Sequence, residues 1–197
     1  APKHAILASN TSSMSITEIA SATKRPENVV GMHFFNPAVL MKLVEVISTE
    51  KSSQEAINTT YEVAQKMKKV PVIVKKDSPG FIYNRVNAPT ALLLQLILDK
   101  GSPKPNDFDA VFKPVMPMTP FELLDYVGLD IVLHTQGYYA KTLSPDYTPR
   151  KALKDLVALG RLGKKTGKGI YDWSAGRPAI DVSSPTSEYD PTHMIAL

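Results

Sequence analysis

Residues 29–47 read VVGMHFFNPAVLMKLVEVI. Two runs rich in β-branched and aromatic residues, Val29 to Phe35 and Lys42 to Ile47, flank Asn36 to Met41, where Asn36-Pro37 punctuates a turn. The stretch is therefore predicted to be an antiparallel strand pair. A turn centred near Val39 sets His33 opposite Glu45, with Cβ atoms roughly 5 Å apart. A carboxylate on one ring nitrogen fixes the imidazole tautomer and leaves the other nitrogen free to take a proton near neutral pH. The same two residues also suit a half-buried cross-strand contact with no chemical role, and the pattern alone leaves both readings open.

Working toward the N-terminus, Ala5 to Ser9 is a short apolar run, Asn10 to Ser13 a polar turn, and Ser15-Ile16-Thr17-Glu18 a capping box that opens a helix. In open α/β sheets ligands collect at the carboxyl ends of strands, so the Ser12 turn is a candidate for holding a substrate oxygen; turn building and helix capping are its other reading. On the far side, Ser52 and Glu55 form a second capping box before a helical face of Ala56, Thr60, Val63, Ala64 and Met67. Val70 to Val74 then reads as a buried strand.

After Asp77-Ser78-Pro79-Gly80 only helical patterns follow. Asn84 sits at a helix start, where it could reach a cleft or serve as a cap. Ala91 to Leu98 is apolar almost all round, and Pro89 marks that helix's start or a kink. Asn106 is placed to cap Asp107 to Phe112. Thr119-Pro120-Phe121-Glu122 opens a helix whose face continues through Leu124, Val127, Ile131 and His134, and Leu153 to Leu159 supplies one more helix, ended by Gly160. Residues 174–197, rich in Ser, Pro and Asp, read as a linker or tail. The expected division is 1–76 as part of an α/β domain, 77–173 as an all-helical domain, and 174–197 as a connector.

Composition narrows the function. The 197 residues contain no cysteine, and the four histidines fall in no metal-ligand spacing, so neither a disulfide framework nor a metal site is expected. No apolar run approaches the roughly 20 residues of a membrane span. Net charge is +4, and Arg161, Lys164, Lys165 and Lys168 account for all of it within RLGKKTGKG. So local a patch suits a small anion such as a cofactor phosphate, or simply a solvated loop, rather than a nucleic-acid track. The opening APKHAILASN has no charged lead into a long apolar stretch and begins almost at once with a buried-strand pattern. No signal peptide is expected, and the chain reads as a fragment that starts in mid-domain.

NTSS followed by SITEIA, VVGMHFFNPAVLMKLVEVI, DSPGFIYNRV, MPMTPFELLDYVGLD and GKKTGKGIYDW, in that order, resemble the 3-hydroxyacyl-CoA dehydrogenase family over about residues 5–173. The resemblance implies an α/β remnant, the second half of a Rossmann-like NAD-binding domain, followed by an all-α dimerisation domain, with acyl-CoA as substrate. It implies NAD-dependent oxidation of L-3-hydroxyacyl-CoA to 3-ketoacyl-CoA in fatty-acid metabolism, by a cytoplasmic homodimer. Carried over by position, His33 matches the general base and Glu45 its orienting partner. Ser12 and Asn84 match groups that bond the substrate oxygen, and Ser12, Asn36 and Lys165 match cofactor contacts. Met116 and Thr119 stand where the family has glycines. No G-x-G-x-x-G follows any strand, so the pyrophosphate grip is missing from these residues and the fragment is expected to be inactive alone. The tail is similar to the connector that joins some such dehydrogenases to an enoyl-CoA hydratase. The alternative in another class is a non-catalytic acyl-CoA-binding or dimerisation module.

Overall fold

A computed structural model describes residues 1–12 and 14–182; Ser13 and the tail residues 183–197 lie outside the described residues. The chain divides into two compact units, Ala1–Asn87 and Ala88–Leu197, each taken by itself below.

The first unit is a four-stranded sheet in the order β1-β2-β3-β4, with β1 Leu7–Ser9, β2 Val29–Phe34, β3 Leu43–Ile47 and β4 Val70–Val74. β1 runs parallel to β2, β2 antiparallel to β3, and β3 parallel to β4. The register sets His33 against Glu45 and Phe34 against Val44, as the turn-centred reading predicts. Strand alternation sorts the faces. Val30, Met32, Val44 and Val46 pack with Ala56, Ile57 and Ala64 of α2 (Gln54–Lys66). Val29 and Ile47 pack on the other face with Ile16 and Ala20 of α1 (Ile16–Ser21) and with Val74 and Phe81. His33 and Glu45 share parity with Val29 and Ile47, so they belong to the α1 face. Gly31 lies on the same face between Val29 and His33, opposite Ile47, where a Cβ would stand 2.7 Å from Ile47 Cδ1.

Three expectations are corrected here. The cap of α2 is Ser53, whose side chain accepts from Ala56 N at 3.1 Å, while Ser52 Oγ donates to Val29 O at 2.7 Å and pins the helix start to β2. The buried face of α2 is Ala56, Ile57, Thr60 and Ala64, and Val63 and Met67 are exposed. β4 is an edge strand rather than a buried one: Val70, Val72 and Ile73 are exposed, and an edge is where Pro71 is tolerated because its missing donor breaks no central ladder.

The second unit is helical. Helix α3 (Tyr83–Lys100) carries the chain from one unit into the next, with Pro89 in its interior rather than at its start. Then come α4 (Pro105–Phe112), α5 (Pro120–Val127), α6 (Leu129–Thr142) and α7 (Lys151–Ala158). Their core holds Leu94, Ile97, Phe121, Leu124, Leu129, Val132 and Leu153. Gly128, at φ +105°, breaks the helix expected to run on through His134. The break rotates the face: Leu129, Val132, Gln136 and Tyr139 are buried in α6, and Val127, Ile131 and His134 are exposed. Asn106 does not cap α4, which starts with Pro105 after Lys104; its amide instead trades two hydrogen bonds with the Asp181 backbone. The described part of the expected tail therefore lies on this unit, with Ile180 buried and Arg177 paired to Glu122. Among the described residues no helix is long and apolar enough to cross a membrane.

Candidate functional site

His33 and Glu45 are 5% and 1% exposed. His33 Nδ1 lies 2.8 Å from Glu45 Oε2. A carboxylate only accepts, so Nδ1 carries a proton, and in the neutral imidazole it is Nε2 that presents a lone pair. No described residue makes a hydrogen bond to Nε2. The other carboxylate oxygen, Oε1, accepts from the backbone amides of Ile82 and Tyr83, both at 3.0 Å. Burial would raise the Glu45 carboxyl, but the hydrogen bond from His33 and the amides of Tyr83 and Ile82 outweigh it and hold it below its ordinary value. Aromatic rings frame the imidazole: Phe35 at 4.6 Å and Phe81 at 5.7 Å between centroids, with Tyr83 edge-on to Phe35 at 4.9 Å.

The remaining sequence-predicted residues are placed as follows. Ser12 is exposed in the turn from β1 to α1, and the Asn10 side chain accepts from Phe34 N at 2.9 Å, which ties that turn to the strand end beside His33. Asn84 is half-buried in the first turn of α3, immediately after the Tyr83 amide that bonds Glu45; Glu45, not Asn84, receives the first amides of that helix. Asn36 is exposed where the loop leaves β2. Lys165 belongs to the second unit and pairs with Asp130 at 2.5 Å. This holds Asp130 below its ordinary value, and the loop that looked free of acid receives one from α6. Lys164 lies 4.6 Å over the Tyr126 ring. Sequence reasoning named the turn that holds Asn10 but missed its bond to β2, and it missed Asp77 and Phe81. The DSPGFIYNRV motif contains both Asp77 and Phe81, but its reading singles out Asn84 alone.

Other buried carboxylates lie in the second unit. Asp125 accepts from Ile170 N and Tyr171 N, both at 2.8 Å, and from Trp173 Nε1 at 2.9 Å. Asp109 accepts from Thr119 Oγ1, Phe121 N, Glu122 N and Tyr171 Oη. Glu122 returns to the Thr119 amide and pairs with Arg177. A cavity of about 530 Å³ borders Met118, Tyr126, Lys164, Trp173 and this pair.

An imidazole propped by a carboxylate near the carboxyl end of a strand in an α/β sheet has the geometry to take a proton from a ligand bound at that end. Comparison with known proteins resolves the class. Residues 1–78 match the 3-hydroxyacyl-CoA dehydrogenase NAD binding domain, and residues 80–173 match the 3-hydroxyacyl-CoA dehydrogenase C-terminal domain. The chain belongs to the 3-hydroxyacyl-CoA dehydrogenase family. It is 48% identical over 186 residues to a fatty acid oxidation complex subunit alpha from Psychrobacter, covering 89% of this chain and 25% of that protein. It is 42% identical over 177 residues to the mitochondrial hydroxyacyl-coenzyme A dehydrogenase of Sus scrofa, covering 88% and 56%. The solved (S)-3-hydroxybutyryl-CoA dehydrogenase of Ralstonia eutropha is similar at a TM-score of 0.81 and 36% identity, covering 87% of this chain and 61% of that one. The chain thus spans about half the length of the dehydrogenases it matches, and a quarter of the longer complex subunit.

The cofactor of this family is NAD. The residues present fit its nicotinamide end. β1 and β2 are parallel, so the Ser12 turn and the His33 end of β2 lie at one end of the sheet, where an exposed hydroxyl and an imidazole nitrogen with no partner among the described residues suit an amide-bearing ring and an alcohol oxygen.

Proposed function

We propose that this chain is the proton-abstracting part of an NAD-dependent L-3-hydroxyacyl-CoA dehydrogenase, in which residues 1–76 complete the cofactor domain and 77–173 form the substrate and dimerisation domain. The observation that carries the reading is the His33–Glu45 pair, with one ring nitrogen held at 2.8 Å and the other without a partner among the described residues. Bound NAD would supply the hydride acceptor for carbon 3. His33 Nε2 removes the hydroxyl proton, and Glu45 stabilises the imidazolium that results. Ser12 and Asn84 hydrogen-bond the oxygen as it becomes a carbonyl, while Ser12, Asn36 and Lys165 serve the cofactor. Fatty-acid oxidation is the proposed setting, supported by the Psychrobacter relative's name, and the cytoplasm is the proposed compartment because that relative is bacterial. The proposed homodimer has its support in the exposed apolar residues Leu123, Val127 and Ile131 on α5 and α6, a face a second copy would cover.

The test is NADH formation from L-3-hydroxybutyryl-CoA by the 197-residue chain and by the longest polypeptide its coding sequence specifies. The longer chain is expected to turn over and the 197 residues alone to show little rate, since they span about half of the dehydrogenase relatives. Acyl-CoA binding with no turnover by the longer chain would instead favour the non-catalytic module.

A further inference from the structure

Glu45 has a second set of partners that the proton transfer itself does not use. Its Oε1 receives the Ile82 and Tyr83 amides, 37 and 38 residues away in sequence. The first amides of a helix have no partner within the helix and normally turn to a side chain just upstream. Here the segment before α3 takes a left-handed path, with Gly80 at φ +77° and Phe81 at φ +51°. Glycine adopts that path freely, whereas a phenylalanine does so only when its surroundings hold it there. Phe81 is 3% exposed, with its ring near the His33 imidazole. At the other end of the segment, Asp77 Oδ2 accepts from Ser15 Oγ and Thr17 N, both at 2.7 Å. Ser15 is the cap of α1 and Thr17 lies in its first turn, three and five residues beyond Ser12.

We propose that residues 77–83 act as a positioning clamp, in which Asp77 holds the turn bearing Ser12 while the Ile82 and Tyr83 amides hold the Glu45 carboxylate against His33. One short segment thereby sets the oxygen-binding group and the proton-taking group together. Asp77 and the Ile82 and Tyr83 amides act through Ser15, Thr17 and Glu45, while the Phe81 ring packs beside the His33 imidazole. The inference rests on the dehydrogenase reading for its consequence, though not for its geometry.

The experiment compares Tyr83→Pro with Tyr83→Ala. Both lose the ring, but only proline loses the amide proton, and the first helical position is where proline is accepted. Carboxyl-carbon NMR of Glu45 in the 197-residue chain is expected to show titration about half a unit higher in the proline variant than in the alanine variant. Identical titration overturns the clamp. Should the proline variant not fold, amide hydrogen exchange in Glu45→Ala replaces it: Ile82 and Tyr83 are expected to exchange at least about tenfold faster than in the unaltered chain, and unchanged exchange overturns the proposal. In the turning-over polypeptide, Asp77→Ala is expected to raise KM for the acyl-CoA about fivefold, with Asp77→Asn, which keeps one acceptor oxygen, restoring most of it. Equal KM values for all three overturn the Asp77 half. Because titration and exchange need no turnover, failure of the dehydrogenase reading and failure of the clamp are separately visible.

Discussion

Buried carboxylates occur in both units, and their partners differ in kind. Asp109 and Asp125 of the helical unit are 0% exposed and are filled by a hydroxyl, a phenol, an indole and backbone amides, all of which fasten one segment to another. Glu45 of the sheet unit is as deeply buried, yet one of its oxygens is spent on a ring whose far nitrogen has no described partner. The proposed function gives the two kinds of burial different meanings: architecture where every donor fastens a segment, and chemistry where one donor is a ring with a second nitrogen.

The largest expected effect breaks the two apart. In a turning-over polypeptide, Glu45→Gln is expected to lower kcat about a hundredfold or more with little change in KM, because the substituted amide no longer compensates the imidazolium. Asp125→Asn is expected to leave kcat per folded molecule unchanged and to lower stability by on the order of 3 kcal/mol, since three donors lose a charged acceptor. Steady-state kinetics beside urea unfolding decides it. Equal loss of turnover in both variants would erase the distinction.

This contrast shows how much of the molecule the sequence discloses. The His33–Glu45 pairing was legible because an antiparallel register follows from where a turn lies, and Asn36-Pro37 marks it. The helix interior was less so. Gly128 reads as an ordinary small residue within a helical period, and only its positive φ reveals the break that exposes Ile131 and His134. Likewise the glycines of GKKTGKG read as punctuation, whereas Gly169 lets the loop lie against α5, where an added Cβ would overlap Asp125 Oδ1. Charge was the least legible. Counting residues 161–169 gave an acid-free patch, and the acid that meets Lys165 comes from residue 130. Contacts that close over tens of residues leave no local signature.

Acid sharpens the comparison with a smaller effect. Glu122 resembles Glu45 in that burial would raise it, but the Arg177 guanidinium and the Thr119 amide hold it below its ordinary value. A carboxyl depressed in the folded state contributes stability that is full above its unfolded value of about 4.3 and is lost as pH falls through the folded value. Both units are therefore expected to weaken below roughly pH 4.3. Trp173, the chain's one tryptophan, bonds Asp125 and reports on the helical unit by fluorescence. Arg177→Met is expected to move the acid transition seen by Trp173 to higher pH while leaving the Glu45 carboxyl titration in place. A parallel shift of both would mean that the two carboxylates answer to a shared cause.

The smallest expected effect concerns Lys165, where an architectural and a chemical reading meet at one side chain. Its ammonium and the Asp130 carboxylate are 43% and 39% exposed, so the pair is worth less than about 1 kcal/mol. Removing either member costs the fold the same small amount, which makes stability unable to separate the readings. Cofactor affinity separates them by sign. If Lys165 also serves NAD, Lys165→Ala weakens binding by about two- to threefold, while Asp130→Asn releases the ammonium from its local partner and leaves binding unchanged or tighter. If the pair only fastens the loop to α6, the two variants lower the melting temperature alike and neither changes the NAD titration. Raising the salt concentration sharpens the outcome, because a screened ammonium loses its advantage for an anion while the glycine-built loop keeps its shape.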